Sequence, residues 1–223
     1  MFKLFAASLV AASALVAVPA LAQDAPTSGP EMSTTSASPE REAADRNGAF
    51  LGFRIEGNAG GDRFQALGRH NDKFGYGASI GFDGQIGERI VIGPEATFWK
   101  ANDWNENCAG VTSGVACTKS FEEYGVGVRA GVLATPQLLI FGKGGYVTNE
   151  QRKFVNSTVA GGSYYDHYNT TGYQVGGGVQ YGMGSRFSGP LAGLYVSAQY
   201  VYSQYNDHTS RQRVMGGVGL HFK

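Results

Sequence analysis

The sequence predicts an all-β chain: an eight-stranded antiparallel up-and-down transmembrane β-barrel, preceded by a signal peptide and a disordered N-terminal segment. Three observations carry this. About eight segments alternate apolar and non-apolar residues with period two, the faces opposite the apolar ones are mostly glycine, and the chain opens with an export signal.

The opening "MFKLFAASLVAASALVAVPALAQ" places Lys3 before an apolar run ending in Ala-Leu-Ala. Its basic start and apolar centre predict a secretory signal over 1–22, cleaved between Ala22 and Gln23. Residues 23–47 are rich in Pro, Ser, Thr and Ala and bury too little apolar surface to offset chain entropy. This predicts a disordered linker, with a tether to another envelope component as the alternative. The barrel is expected over 48–223.

The first segment, "LGFRIEGNA", sets Leu51, Phe53, Ile55 and Ala59 against Arg54, Glu56 and Asn58. The second, "KFGYGASIGFD", sets Phe74, Tyr76, Ile80 and Phe82 against glycines, Ser79 and Asp83. In the third, "RIVIGPEATFW", Ile90, Ile92 and Phe98 oppose Glu95 and Thr97, and Pro94 predicts a bulge or a local break because it lacks a ladder donor. The fourth, "EYGVGVRAGVL", sets Tyr124, Val126 and Val128 against Glu123 and Arg129. The fifth, "LLIFGKGGYV", places Ile140 and Tyr146 outward and Lys143 inward.

The sixth, "GYQVGGGVQYG", sets Tyr173, Val175 and Val179 against Gln174 and Gln180. The seventh, "YVSAQYVYSQ", sets Val196, Tyr200 and Tyr202 against Ser197, Gln199 and Ser203. The eighth, "RVMGGVGLHFK", alternates Val214, Val218, Leu220 and Phe222 with Gly217, Gly219 and His221. Its expected partner is the first segment, because closure removes both open edges. Short connections follow the second and fourth segments. Longer ones follow the first, third, fifth and seventh, the asymmetry of a membrane barrel, with "GMGSRFSGPLAG" the exception.

The apolar face is assigned to lipid. A soluble calyx would carry dense charge on its other face, whereas a small barrel's interior just accommodates side chains, which accounts for the glycines. Arg54, Glu56, Glu95, Arg129 and Lys143 fall inward in this register and form the expected polar network of the lumen, a plug of interleaved charges. Outward Phe and Tyr near segment ends fit aromatic girdles.

The formal net charge is +0, with Lys and Arg together 18 and Asp and Glu 18. Balanced charge without a basic cluster excludes nucleic acid as the expected partner. Cys108 and Cys117 in an exported chain predict one disulfide closing a short loop; zinc pairs sit closer and bring further ligands, so no metal is expected.

With signal, segment count and closing strand in place, the chain from about residue 48 resembles the small eight-stranded outer-membrane barrels of Gram-negative bacteria, the opacity-protein and OmpA-like group within the "porin family". The cues are "FGYGASIGFDGQIGERIVIGPEATF", "LLIFGKGGYVT", "LYVSAQYVYSQY" and the terminal "VMGGVGLHF". The resemblance implies outer-membrane location, with the N-terminal segment in the periplasm and long loops at the cell surface. Implied partners are outer-membrane lipid and lipopolysaccharide, the barrel-assembly machinery and a surface ligand of unspecified kind. It also implies that the assembly machinery reads Phe222, although Lys223 departs from the usual ending. Relatives often carry a carboxylate in the seventh strand where this chain has Gln199, which leaves a lumen pairing with Arg129 or Arg213 in doubt.

Catalysis has one candidate. "HTS", His208 to Ser210, resembles the His-x-Ser arrangement of a lipid A deacylase, with Asp207 or Asp166 as the orienting group. The alternative is a polar loop at the membrane rim. "SYYDHYN", with Asp166, His167 and tyrosines, reads as a girdle or loop-packing element or as a ligand contact. No catalytic residue, cofactor or metal site is assigned. The expected role is a non-enzymatic barrel for envelope structure or adhesion-like surface contact, with a narrow pore or a lipid A-modifying enzyme as alternatives.

Overall fold

The structure, a computed structural model, describes residues 50–111, 114–157, 163–183 and 189–222. The expected signal with Ala22 and Gln23, the linker 23–47 and Lys223 lie outside the described residues.

The alternating segments form eight strands: β1 (Gly52–Ala66), β2 (Arg69–Ile86), β3 (Ile90–Val111), β4 (Gly114–Thr135), β5 (Leu138–Ser157), β6 (Tyr164–Gly182), β7 (Leu194–Tyr205) and β8 (Ser210–Phe222). Each pairs antiparallel with its neighbours in sequence, and the order β1 to β8 closes into a barrel. The seam joins β8 to β1 through Phe53 opposite Phe222, Arg54 opposite His221 and Ile55 opposite Leu220.

Outward residues form an exposed apolar band, with Val214 66% and Val126 60% exposed among them. In a water-soluble domain such a continuous band would be a liability. At about 3.3 Å per residue and a tilt near 40°, the outward run from Phe74 to Ile86 spans about 30 Å along the barrel axis, enough for the hydrocarbon layer.

The strands run further than the sequence segments. Residues read as the connection after the first segment are largely strand: β1 and β2 extend until only Leu67 and Gly68 remain between them, both with positive φ (54° and 72°), the backbone of a two-residue hairpin turn. The extension was hidden in β3 and β4 by a register shift between Lys100 and Asn105, matched in β4 between Ser120 and Glu123. A bulge exchanges faces, so Ala116, Thr118 and Ser120 are buried on one side of it and Glu123, Arg129 and Leu133 on the other. A period-two reading stops there.

Pro94 breaks the ladder on one side only. It pairs with Val128 in β4, while the β2 ladder skips it and resumes in the same register, Gly81 opposite Glu95 and Gly84 opposite Ile92. A missing N–H removes one bond without inserting a residue.

Candidate functional site

Inward side chains fill the barrel in layers. At the end holding both Phe50 and Phe222, Phe50 packs with Val91, Leu133, Leu139 and Phe141 in an apolar cluster. Phe50 lies just ahead of β1 and meets the His221 ring edge-on at 5.9 Å. Gly52 has φ 98°, a backbone open to glycine, and this turns the chain from the mouth into the wall.

Above this cluster lies the first charged layer. Arg54 donates to Glu95 at 2.6 Å and to Asp83 at 3.2 Å, and Lys143 donates to the other Glu95 oxygen at 2.9 Å. Arg129 donates to Asp83 and, at 2.7 Å, to Gln180. Glu56 accepts from Tyr195 at 2.8 Å, Ser197 at 3.0 Å and Gln199 at 2.9 Å, and lies 3.7 Å from Arg54. Gln199 of β7 therefore donates to a carboxylate on β1. The two glycines of β8 leave room for this layer: a Cβ at Gly217 would stand 2.6 Å from the Glu56 carboxylate, and one at Gly219 would overlap the Tyr195 ring.

Trp99, Val201 and Met215 separate this layer from a second. There Arg213 lies 2.7 Å from Glu123, Arg211 lies 3.3 Å from Asp62, and Tyr205 donates to Glu123. Trp99 donates to Asp62 at 3.2 Å, and the Arg213 guanidinium lies over its ring at 5.6 Å. The buried cations Arg54, Arg129, Lys143, Arg211 and Arg213 match the buried carboxylates Glu56, Asp62, Asp83, Glu95 and Glu123 in number. A void of about 10 Å³ remains between the layers, beside Lys143 and Arg213, no larger than one water.

Sequence reasoning had singled out Arg54, Glu56, Glu95, Arg129 and Lys143; the structure brings them together with Asp83, Gln180 and Tyr195. The second layer escaped notice because Asp62 and Arg211 lie beyond the clean alternating segments. Asp83 and Glu123 had an inward parity as their only signal.

At the far end, Cys108 and Cys117 stand directly opposite on β3 and β4, with Cα atoms 4.1 Å apart and a bond joining their sulfurs. Glu106 lies within reach of both sulfurs, but a disulfide spends the two thiolates a metal would need.

The two chemically suggestive segments behave differently from an active site. His208 sits exposed in the β7–β8 turn with φ 65°, Ser210 is buried, and no hydrogen bond joins them among the described residues. Asp207 accepts from the Thr209 N–H at 3.1 Å and hydroxyl at 2.7 Å, which shapes the turn, and from Tyr168 at 3.2 Å. Burial, then the Asp207 charge, pushes the Tyr168 phenol up to about 12. His167 instead pairs with Glu150 at 2.7 Å on the outer face of β5 and β6.

No protein-family model and no curated protein matches the chain in sequence. Solved structures with a similar fold include Ail, the attachment invasion locus protein of Yersinia pestis, at 16% identity and TM-score 0.49, covering 78% of this chain and 100% of Ail. Neisserial surface protein A aligns at 16% identity and TM-score 0.44, covering 76% and 97%. The N-terminal β-barrel domain of Pseudomonas aeruginosa OprF aligns at 14% and 0.42, covering 76% and 97%. Closed strand order, an outward apolar band and a lumen packed by its own side chains make this chain an eight-stranded β-barrel of the outer-membrane type.

Proposed function

We propose that the chain is a non-enzymatic outer-membrane protein that presents a stiff strand surface for contact with other molecules, with envelope support as its second task. One observation carries this reading. The β2–β3 ladder ends at Gly75 opposite Ala101 and the β6–β7 ladder at Gly172 opposite Tyr205, whereas β4 and β5 stay paired to Gly114 opposite Ser157. Strands β3 to β6 therefore continue past the end of the β6–β7 ladder as a four-stranded sheet, with the disulfide across its first hairpin and the β1–β2 hairpin, paired to Ala66 opposite Arg69, bonded along its side through Asn71 to Glu106 and Asn107 to Phe64. Residues ordered before contact cost less entropy on binding than loops do.

In this reading the end with Phe50 and Phe222 faces the periplasm and the sheet faces outward, because the β3–β4 and β5–β6 hairpins run far past the apolar band at the other end, where such barrels carry their longer outer connections. Membrane lipid and lipopolysaccharide surround the band, and the assembly machinery engages Phe222. Paired lumen charges argue against a steady pore, and the separation of His208 from Ser210 argues against a hydrolase. The test is expression followed by membrane fractionation, with protease applied to intact cells. Recovery in the outer-membrane fraction, heat-modifiable migration and cleavage within β3–β6 are expected; a soluble periplasmic product would sink the reading. Unchanged lipid A mass and no steady planar-bilayer conductance are the expected results for the two alternatives.

A further inference from the structure

On the outer face of the projecting sheet, one row crosses the strands: Glu106, Lys119, Arg152 and His167 are successive cross-strand partners. Lys119 and Arg152 are directly opposed like charges, an arrangement that destabilises a sheet when nothing offsets it. The nearby acids are set against other residues: Glu106 stands opposite Lys119 on its far side, and Glu150, two residues along β5 from Arg152, pairs with His167 at 2.7 Å. Among the described residues no carboxylate pairs with Arg152. Its guanidinium is instead held between two rings, 5.8 Å from the Phe121 centroid and 5.4 Å from that of Tyr165, and Phe121 is braced edge-on by His167 at 5.7 Å. Aromatic stacking fixes a guanidinium's plane while leaving its N–H edge open, the preorganised geometry for two oxygens of a phosphate.

Height on the barrel selects the source. Tyr124 of the outward aromatic band is level with Thr148 of β5, so Arg152 stands about 10 Å further along the axis at 3.3 Å per residue and a tilt near 40°. The row faces away from the barrel mouth, toward the headgroups of surrounding lipid. We infer that Arg152, clamped between Phe121 and Tyr165 and backed by Lys119, is a binding site for the phosphate of an outer-leaflet lipid headgroup. The site rests on the outward orientation proposed above and extends that reading to a named ligand class.

The full-length barrel in detergent is titrated with phosphatidic acid, phosphatidylcholine and glycerol 3-phosphate, and bound ligand is counted by native mass spectrometry. Wild type should hold phosphatidic acid about tenfold more tightly than R152A, the worth of a charge-assisted pair. K153A, which removes one charge from the opposite face, should bind like wild type. R152K should fall between, because an ammonium cannot stack as a plane. Equal losses in R152A and K153A, or phosphatidylcholine held as tightly as phosphatidic acid, would overturn the site. Glycerol 3-phosphate bound as tightly as the lipid would overturn the lipid source. If R152A lacks the folded, heat-modifiable band, R152K against K153A decides: R152K no weaker than K153A ends the proposal. Fractionation tests location separately, so an outer-membrane barrel that fails the lipid titration loses this site and keeps its assigned place.

Discussion

Arg54 reaches across the lumen from β1 to Glu95 on β3 with a 2.6 Å bond, and Lys143 from β5 holds the other Glu95 oxygen. Removing one member of a buried ion set leaves its partners charged and unpaired, which costs about 3–5 kcal/mol. Glu95→Gln keeps the shape and leaves Arg54 and Lys143 facing one another with less compensation. The expected outcome is a urea midpoint lowered in keeping with that cost and a measurable leak in planar bilayers. An unchanged midpoint would mean that water already screens the layer.

Phe50 closes the mouth at the end shared by both termini of the barrel. Phe50→Ala removes a ring from a cluster with Val91, Leu133, Leu139 and Phe141, for which about 3–5 kcal/mol of lost stability is expected. It also uncovers His221, which the ring touches edge-on. Diethylpyrocarbonate should modify His221 in the variant and spare it in the wild type; equal protection in both would show that Phe50 is not the seal.

Tyr168 and Asp207 give a pH dependence outside the membrane-spanning band. A phenol whose folded pKa is raised from 10.0 to about 12 contributes stability that is complete below pH 10 and lost as pH rises toward 12. The β7–β8 turn should therefore loosen between pH 10 and 12, read as increased proteolysis at the turn. Tyr168→Phe should remove that pH step. A step of the same size in the variant would assign it to another group.

Phe222 is 45% exposed, beside Phe53 at a ring separation of 6.2 Å. It contributes nothing to the lumen, so Phe222→Ser should change stability by little once folded but lower the yield of assembled barrel. Pulse-chase of the heat-modifiable form measures the two separately. A variant that assembles at the wild-type rate would remove the recognition role from this residue.

Cys108→Ser opens the crosslink of the β3–β4 hairpin. Loop-closure arguments give about 2–3 kcal/mol for a ring of this size, and its position past the barrel wall confines the loss to the projecting sheet. Hydrogen exchange should rise in β3 above Asn105 and in β4 below Ser120 while the membrane band keeps its protection.

Alternation by itself determined much of this protein. Period two separates Ile55, Phe82 and Val128 from Arg54, Asp83 and Arg129 without any knowledge of partners, because a strand turns successive side chains to opposite faces. The closing of β8 on β1 was legible too, since an apolar strand face in lipid tolerates no open edge. What tertiary structure decided is which charge meets which. Arg54 and Glu95 are brought together by strand tilt and register across the barrel, and neither is encoded in local pattern. The projecting sheet was hidden for a different reason: the β3–β4 register shifts between Lys100 and Asn105, the bulge at Ser120–Glu123 exchanges the faces of β4, and polar residues beyond them need no lipid-facing alternation. Arg152, Phe121 and Tyr165 come from three strands, so only their pairing could show that one side chain stands between the other two.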